Sequence, residues 1–144
     1  MTRLILDMDH VSLILRGDER LQKQLDQESE ACITVITIQE IFNGWMARIN
    51  QANPNDDFIE LYTRLTESMD YFKQIEILNF DREADRCFRA LLQNHPALRK
   101  ARLQRDMRIA AIALSQNATI VTRNQRDFGQ VPGLKIVDWS SENR

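Results

Sequence analysis

Four acidic side chains lie at the edges of largely apolar runs. Asp7 follows Leu4-Ile5-Leu6, and Glu40 sits inside Ile36-Thr37-Ile38-Gln39-Glu40-Ile41. Asp106 precedes Met107-Arg108-Ile109-Ala110-Ala111, and Asp127 follows Ile120-Val121-Thr122-Arg123-Asn124. Asp7 and Asp127 each come after a β-rich run, Glu40 lies just past another, and Asp106 opens a helical pattern. In a parallel α/β fold such positions meet at the carboxyl ends of the strands, where ligands bind. Carboxylates gathered at one place repel unless a cation neutralises them, and hard oxygen ligands suit Mg²⁺ or Mn²⁺. The chemistry indicated is metal-assisted hydrolysis, which needs no side-chain nucleophile. Each acid also has an ordinary explanation. Asp9 or Ser12 can cap a helix after the first strand, Glu40 and Asp106 suit a helix N-terminus with Thr37 as the cap of the former, and the Thr122–Asp127 segment can be a plain strand-to-helix turn. Glu40 fits its ordinary explanation least well, because an unpaired carboxylate beside the buried face of a helix costs several kcal/mol.

The elements that must position these acids alternate between short β-rich runs and longer amphipathic ones, the pattern of an α/β fold whose parallel sheet is covered by helices on both faces. Strands are expected at 3–6, 32–36, 75–78, 118–122 and 135–137. Ile38, Ile41, Phe42, Trp45, Met46 and Ile49 recur at helical spacing, as do Phe58, Leu61, Tyr62, Leu65, Met69 and Phe72. The two helices so defined join at Asn53-Pro54-Asn55, with Asn53 or Asn55 as the second helix's N-cap. A further helix starts with Asp81 as N-cap, carries Ala84, Phe88, Leu91 and Leu92 inward and ends before Pro96. Another runs over 104–116 and stops near Asn117, and its Ala110, Ala111 and Ala113 allow close approach to the sheet. Trp45, Phe58, Tyr62 and Phe72 are expected in core or helix-pair packing.

The chain has 144 residues, 43% hydrophobic and 28% charged, which bounds it to one domain over 1–144. No apolar run approaches the roughly 18 residues of a membrane span, so neither a membrane nor export is expected. Cys32 and Cys87 are too few and too differently placed for a disulfide framework or a zinc site. They read as buried free thiols of a cytoplasmic protein. A net charge of −2 argues against nucleic-acid binding by the whole surface and leaves room for a local basic patch. Only four glycines occur, and none forms a phosphate-binding loop.

Leu-Asp-x-Asp-His-x-Ser from Leu6, Thr-Ile-Gln-Glu-Ile at 37–41, Asp-x-Arg-Ile-Ala-Ala-Ile-Ala-Leu from Asp106 and Thr-Arg-Asn-x-Arg-Asp-Phe-Gly-Gln-Val-Pro-Gly-Leu from Thr122 are spread along essentially the whole chain. In these motifs the protein resembles the PIN-domain family, and most closely its VapC-like branch, the toxin ribonucleases of bacterial type II toxin-antitoxin pairs. The resemblance implies a three-layer α/β/α domain with a mainly parallel, twisted sheet of about five strands. It implies Mg²⁺- or Mn²⁺-dependent endonucleolytic cleavage of RNA, structured RNA such as tRNA being the expected substrate. Carried over residue by residue, it makes Asp7, Glu40, Asp106 and Asp127 the metal-binding and catalytic acids, with Thr122, Asn124 and Asp9 in support. It further implies a homodimer and a cognate antitoxin, whose groove is sought on the helix pair over 38–72. Two departures stand out: Met8 replaces the family's usual Thr or Ser, and Leu103-Gln104-Arg105 replaces a glycine-containing turn. Both are expected to weaken activity without abolishing it. Asp9 replaces a more common Asn and adds to the site's demand for cation.

Arg99, Lys100, Arg102, Arg105 and Arg108 place five cations against one acid in ten residues. This is either a solvated helix face or, with Arg123 and Arg126, a surface for RNA phosphates; Arg102, Arg105, Arg108, Arg123 and Arg126 are the candidate RNA contacts. His10 is expected only to hydrogen-bond locally, and His95 has no assigned role. Two alternatives remain open at this point. One is a catalytically weakened module that binds RNA or antitoxin. The other is a phosphatase of the haloacid-dehalogenase type, with Asp7 as nucleophile and Asp9 as acid/base, which lacks the downstream acid pair that chemistry requires.

Overall fold

In a computed structural model describing residues 3–28 and 30–140, a single sheet is built from β1 (Leu4–Leu6), β2 (Ala31–Thr34), β3 (Glu76–Leu78), β4 (Thr119–Val121) and β5 (Lys135–Val137). Its order is β3-β2-β1-β4-β5 and all of its pairings are parallel. Residues 1–2, 29 and 141–144 of the expected 1–144 unit lie outside the described residues. The strands alternate in what they bury, as a pleated sheet covered on both faces requires. Ile5, Cys32 and Ile120 point to one core, while Leu6, Ile33 and Val121 point to the other. The first core is closed by α5 (Arg82–Asn94), α6 (Gln104–Gln116) and the short α7 (Gln125–Phe128). The second is closed by α1 (Met8–Leu15), α2 (Glu19–Asp26), α3 (Val35–Asn50) and α4 (Phe58–Phe72). Three α/β/α layers result.

The helices over 82–94 and 104–116 match the expected spans, with Asp81 capping the Ala84 N–H and Ala110, Ala111 and Ala113 fully buried. Other details differ. Val35 and Ile36 read as strand because they are β-branched, yet β2 stops at Thr34 and α3 begins at the next residue. Thr34, not Thr37, is therefore the N-cap, and its hydroxyl accepts the Thr37 N–H at 3.1 Å. Glu40 consequently lies in the second turn of α3. Neither Asn53 nor Asn55 caps α4. Asp56 ties back to the Asn53 N–H at 2.8 Å in a turn, which leaves Asp57 to cap Glu60. Cys32 is buried as expected, but Cys87 is only partly so.

The segment leading to Asp106 explains how the chain does without the family's glycine. Two short 3-10 turns, Pro96–Arg99 and Ala101–Leu103, feed straight into α6, and Leu103 enters it at φ −95° with its side chain wholly buried. No left-handed residue is required there. The left-handed conformation is taken instead by Asn117 at the end of α6, φ 51°.

Candidate active site

Strand order reverses between β1 and β4, because the chain lays β2 and β3 to one side of β1 and β4 and β5 to the other. The crevice outside the carboxyl ends at such a reversal is where open α/β sheets bind ligands. Asp7 follows β1 directly and occupies the N-cap position of α1, yet its side chain makes no capping hydrogen bond. It accepts instead from the Thr122 hydroxyl at 2.8 Å, just past β4. Thr122 is wholly buried, and its oxygen also accepts the Asn124 N–H at 3.0 Å. Met8, where a hydroxyl is usual, is half-exposed, and Thr122 supplies a hydroxyl to Asp7 from the neighbouring strand.

Asn124 ties the other two elements of the crevice together. Its amide donates to Asp106 at 3.1 Å and to Asp127 at 3.2 Å, while its carbonyl oxygen caps α7 by accepting the Asp127 N–H. Asp127 also accepts from Arg102 at 3.1 Å and from Arg126 at 3.3 Å. Glu40, with a side chain only 8% exposed, pairs through Oε2 with Arg105 at 3.0 Å, and its Oε1 is buried with no hydrogen-bond partner. Asp9 accepts from His10 at 2.7 Å and from the Arg123 N–H at 3.0 Å. Each acid singled out in the sequence thus lies at this crevice, as do Arg102, Arg105, Arg123 and Arg126. Arg108 does not join them: it sits over the Phe88 ring of α5, 5.9 Å from its centroid. Two steps on from Asp106 around a 3.6-residue helix is the opposite face.

The electrostatics divide the acids into two groups. Burial, with the Asp9 charge, pushes the Asp7 carboxyl up to about 6. Burial, with Glu40 and Asp127, pushes Asp106 up to about 6. Glu40 is also raised, chiefly by burial and by Asp7, with Arg105 only partly offsetting. For Asp9 burial acts upward, but His10 and the Arg123 N–H outweigh it and hold the group below the usual range. Asp127 is likewise held low, because Arg102 and Asn124 overcome its burial.

Whether such residues suit a divalent cation can be judged from this pattern. Among the described residues no three acids close on one point as a finished ligand set. Glu40 and Asp127 are turned to arginines, which leaves Asp7 and Asp106 as the pair whose negative charge is least compensated. Mg²⁺ retains several waters and is commonly held by one or two carboxylates together with substrate phosphates, so two hard donors facing an open crevice fit it. Beside the acids a cleft of about 500 Å³ runs between α1, α3 and α4, lined by Met8, Glu40, Trp45, Arg48, Leu61 and Arg64 among others.

Comparison with known proteins settles the family. A family model described as PIN domain matches residues 11–134. The chain belongs to the PIN domain family. The matched span begins after Asp7 and Asp9, which enter this PIN site through its geometry. The tRNA(fMet)-specific endonuclease VapC of Salmonella typhimurium is 26% identical over 149 residues, covering 96% of this chain and 99% of that protein. The crystal structure of DNA-bound VapBC from the same organism superposes with a TM-score of 0.75 at 24% identity, covering 96% of this chain and 99% of that one. VapBC-1 from nontypeable Haemophilus influenzae does so with a TM-score of 0.75 at 16% identity, covering 97% and 100%. At these identities the structural likenesses establish the fold. Membership of the PIN family sets aside the phosphatase alternative.

The site contains features that sequence reasoning did not anticipate. The sequence offers Arg102 and Arg105 as a solvated helix face or as RNA contacts, whereas each is paired with an acid of the crevice. A basic run immediately before an isolated acid is the available signal. His10 reaches beyond its neighbours to the end of β5, a link between residues 129 positions apart that no local pattern displays.

Proposed function

We propose that this PIN domain is a divalent-cation-dependent endoribonuclease that hydrolyses structured RNA, of which tRNA is the leading candidate, and that it is the toxin of a toxin-antitoxin pair. The observation that carries this reading is the pair of least compensated acids, Asp7 and Asp106, held to the same crevice by Thr122 and Asn124 with a third acid, Glu40, beside them. The similarity to a VapC endonuclease and to VapBC complexes supports it.

When bound, Mg²⁺ or Mn²⁺ supplies positive charge that polarises the phosphodiester and makes water an adequate nucleophile near neutral pH. Asp7 and Asp106 hold the ion, Thr122 fixing the first and Asn124 the second. Glu40, raised and with Oε1 unpartnered, takes the proton of the attacking water as the water oxygen bonds to phosphorus and the bond from phosphorus to the leaving ribose oxygen breaks, that oxygen taking its proton from solvent. Asp127 acts through Asn124, since its own oxygens are taken by Arg102, Arg126 and that amide. The half-exposed Arg102 and Arg105, with Arg123 and Arg126, meet the RNA phosphates on the rim.

The cleft between α1, α3 and α4 reaches Glu40 and mixes Trp45 and Leu61 with Arg48 and Arg64, so it suits an amphipathic segment of the antitoxin leading toward the acids. A homodimer in the cytoplasm completes the proposal. No helix among the described residues is long and apolar enough to cross a membrane.

Incubating the purified, antitoxin-free protein with a mixture of cellular RNAs tests this. Discrete RNA fragments are expected with Mg²⁺ or Mn²⁺ and none with chelator. Retained RNA affinity without cleavage under any cation would instead select the weakened binding module.

A further inference from the structure

We propose that His10 is a positioning residue for the acidic pocket, holding Asp9 with one ring nitrogen while the other receives the backbone N–H of Trp139 at the end of β5. The proposal rests on the reading of the pocket as a cation site. His10 is fully buried, and each of its nitrogens has a partner. Nε2 accepts the Trp139 N–H at 3.1 Å, so the neutral ring carries its proton on Nδ1 and donates it to Asp9 Oδ1 at 2.7 Å. Asp138 Oδ1 lies 3.4 Å from Nε2 and accepts from the Ser140 N–H and hydroxyl at 2.8 and 2.6 Å. A backbone group just beyond the last strand thereby selects the tautomer that can hold Asp9.

Both ends of this link are anchored. Trp139 is 5% exposed, its ring meets the imidazole edge-on, and its carbonyl accepts from Arg20 at 2.7 Å. Asp9 Oδ2 accepts the Arg123 N–H at 3.0 Å and lies 3.5 Å from the Thr122 hydroxyl, the group that donates to Asp7. The path thus runs from the β5 end through His10 and Asp9 to the segment that fixes Asp7. Asp7 and Asp9 are like charges with only Met8 between them, and the position of the second sets the field at the first. Releasing Asp9 would leave that field undefined. Outer partners that orient metal-binding groups typically cost about 10–100-fold in metal affinity when removed.

A ring that merely satisfied the Trp139 N–H would behave differently, and two substitutions separate the cases. The amide nitrogen of His10→Asn stands where Nδ1 does and can still donate to Asp9 while abandoning Trp139. The amide of His10→Gln reaches the place of Nε2 and serves Trp139 while abandoning Asp9. Mn²⁺ affinity measured by titration calorimetry is expected to fall about 10–100-fold in His10→Gln and to be rescued by His10→Asn. In an Asp9→Ala background His10→Gln should cost nothing further, since its effect passes through Asp9. A folded His10→Gln that binds Mn²⁺ like the wild type, or a loss confined to His10→Asn, overturns the proposal. A wild type that binds no Mn²⁺ removes the cation pocket itself, and the proposal with it. Should His10→Gln not fold, the imidazole resonances of His10, one of only two histidines, decide in the wild type. They should shift on Mg²⁺ addition and stay still in Asp9→Ala; a wild-type ring unmoved by Mg²⁺ overturns the proposal.

Discussion

Asp7→Asn should lower single-turnover RNA cleavage by at least about a thousandfold while leaving the protein folded. The substitution keeps the shape of the side chain, and the amide oxygen can still accept from Thr122, so the 2.8 Å contact that joins β1 to β4 survives. What disappears is one of the two negative charges that a cation would neutralise. The same charge is a burden to the cation-free protein, because burial and Asp9 raise its carboxyl to about 6. Activity and stability should therefore move in opposite directions: the variant loses cleavage and melts no lower than the wild type at pH 7.5 without cation. Asp106→Asn should behave alike. Single-turnover kinetics and thermal melts on the same samples check both halves, and a fully active Asp7→Asn would remove Asp7 from the mechanism.

Cation-free protein should be more stable at pH 5 than at pH 7.5, by a melting-temperature difference on the order of 5 °C, and Mn²⁺ should remove much of the difference. Asp7 and Asp106 have folded values of about 6 against 3.8 for the unfolded groups. A raised carboxyl means that the folded state binds the proton more tightly, so stability rises as pH falls from about 6 toward 3.8 and is lost as pH rises through 6. Glu40, also raised, acts with the same sign. Asp9 and Asp127 are lowered and contribute the opposite slope, but only once pH falls through and below their ordinary range. Between about pH 5 and 7.5 the raised acids dominate. Cation should raise the melting temperature more at pH 7.5, where it does not compete with protons. A chelated protein that is more stable at pH 7.5 than at pH 5, with no response to Mn²⁺, would contradict this electrostatic picture.

Much of this architecture was legible because hydrophobic period and cap chemistry are local. The period-2 burial of Ile5 against Leu6 and of Ile120 against Val121 marks the strands. Asp81 opens α5 by capping and Asn117 closes α6 in the left-handed geometry that short side chains favour. The misplacements have equally local causes. Val35 and Ile36 have β-forming side chains but lie in α3, because Thr34 caps the helix and burial decides the rest. Asp57 displaced the asparagines as cap because Asp56 closes the preceding turn.

The acids stood out by their places just past β-rich runs or at the start of helical patterns. Their partners did not. Arg105 reaches Glu40 across 65 positions and Thr122 reaches Asp7 across 115. Such pairings follow from the reversal of strand order at β1, which single-sequence patterns do not specify. The same holds for His10, whose second nitrogen is satisfied by the Trp139 N–H just beyond the last strand.

The most direct test is diffraction from Mn²⁺-soaked crystals recorded at the manganese absorption edge. The account predicts anomalous density in the crevice against the carboxylates of Asp7 and Asp106, absent from crystals of Asp7→Asn. Density confined to other acids, or none in the crevice at saturating Mn²⁺, would contradict the cation pocket on which the proposed activity depends.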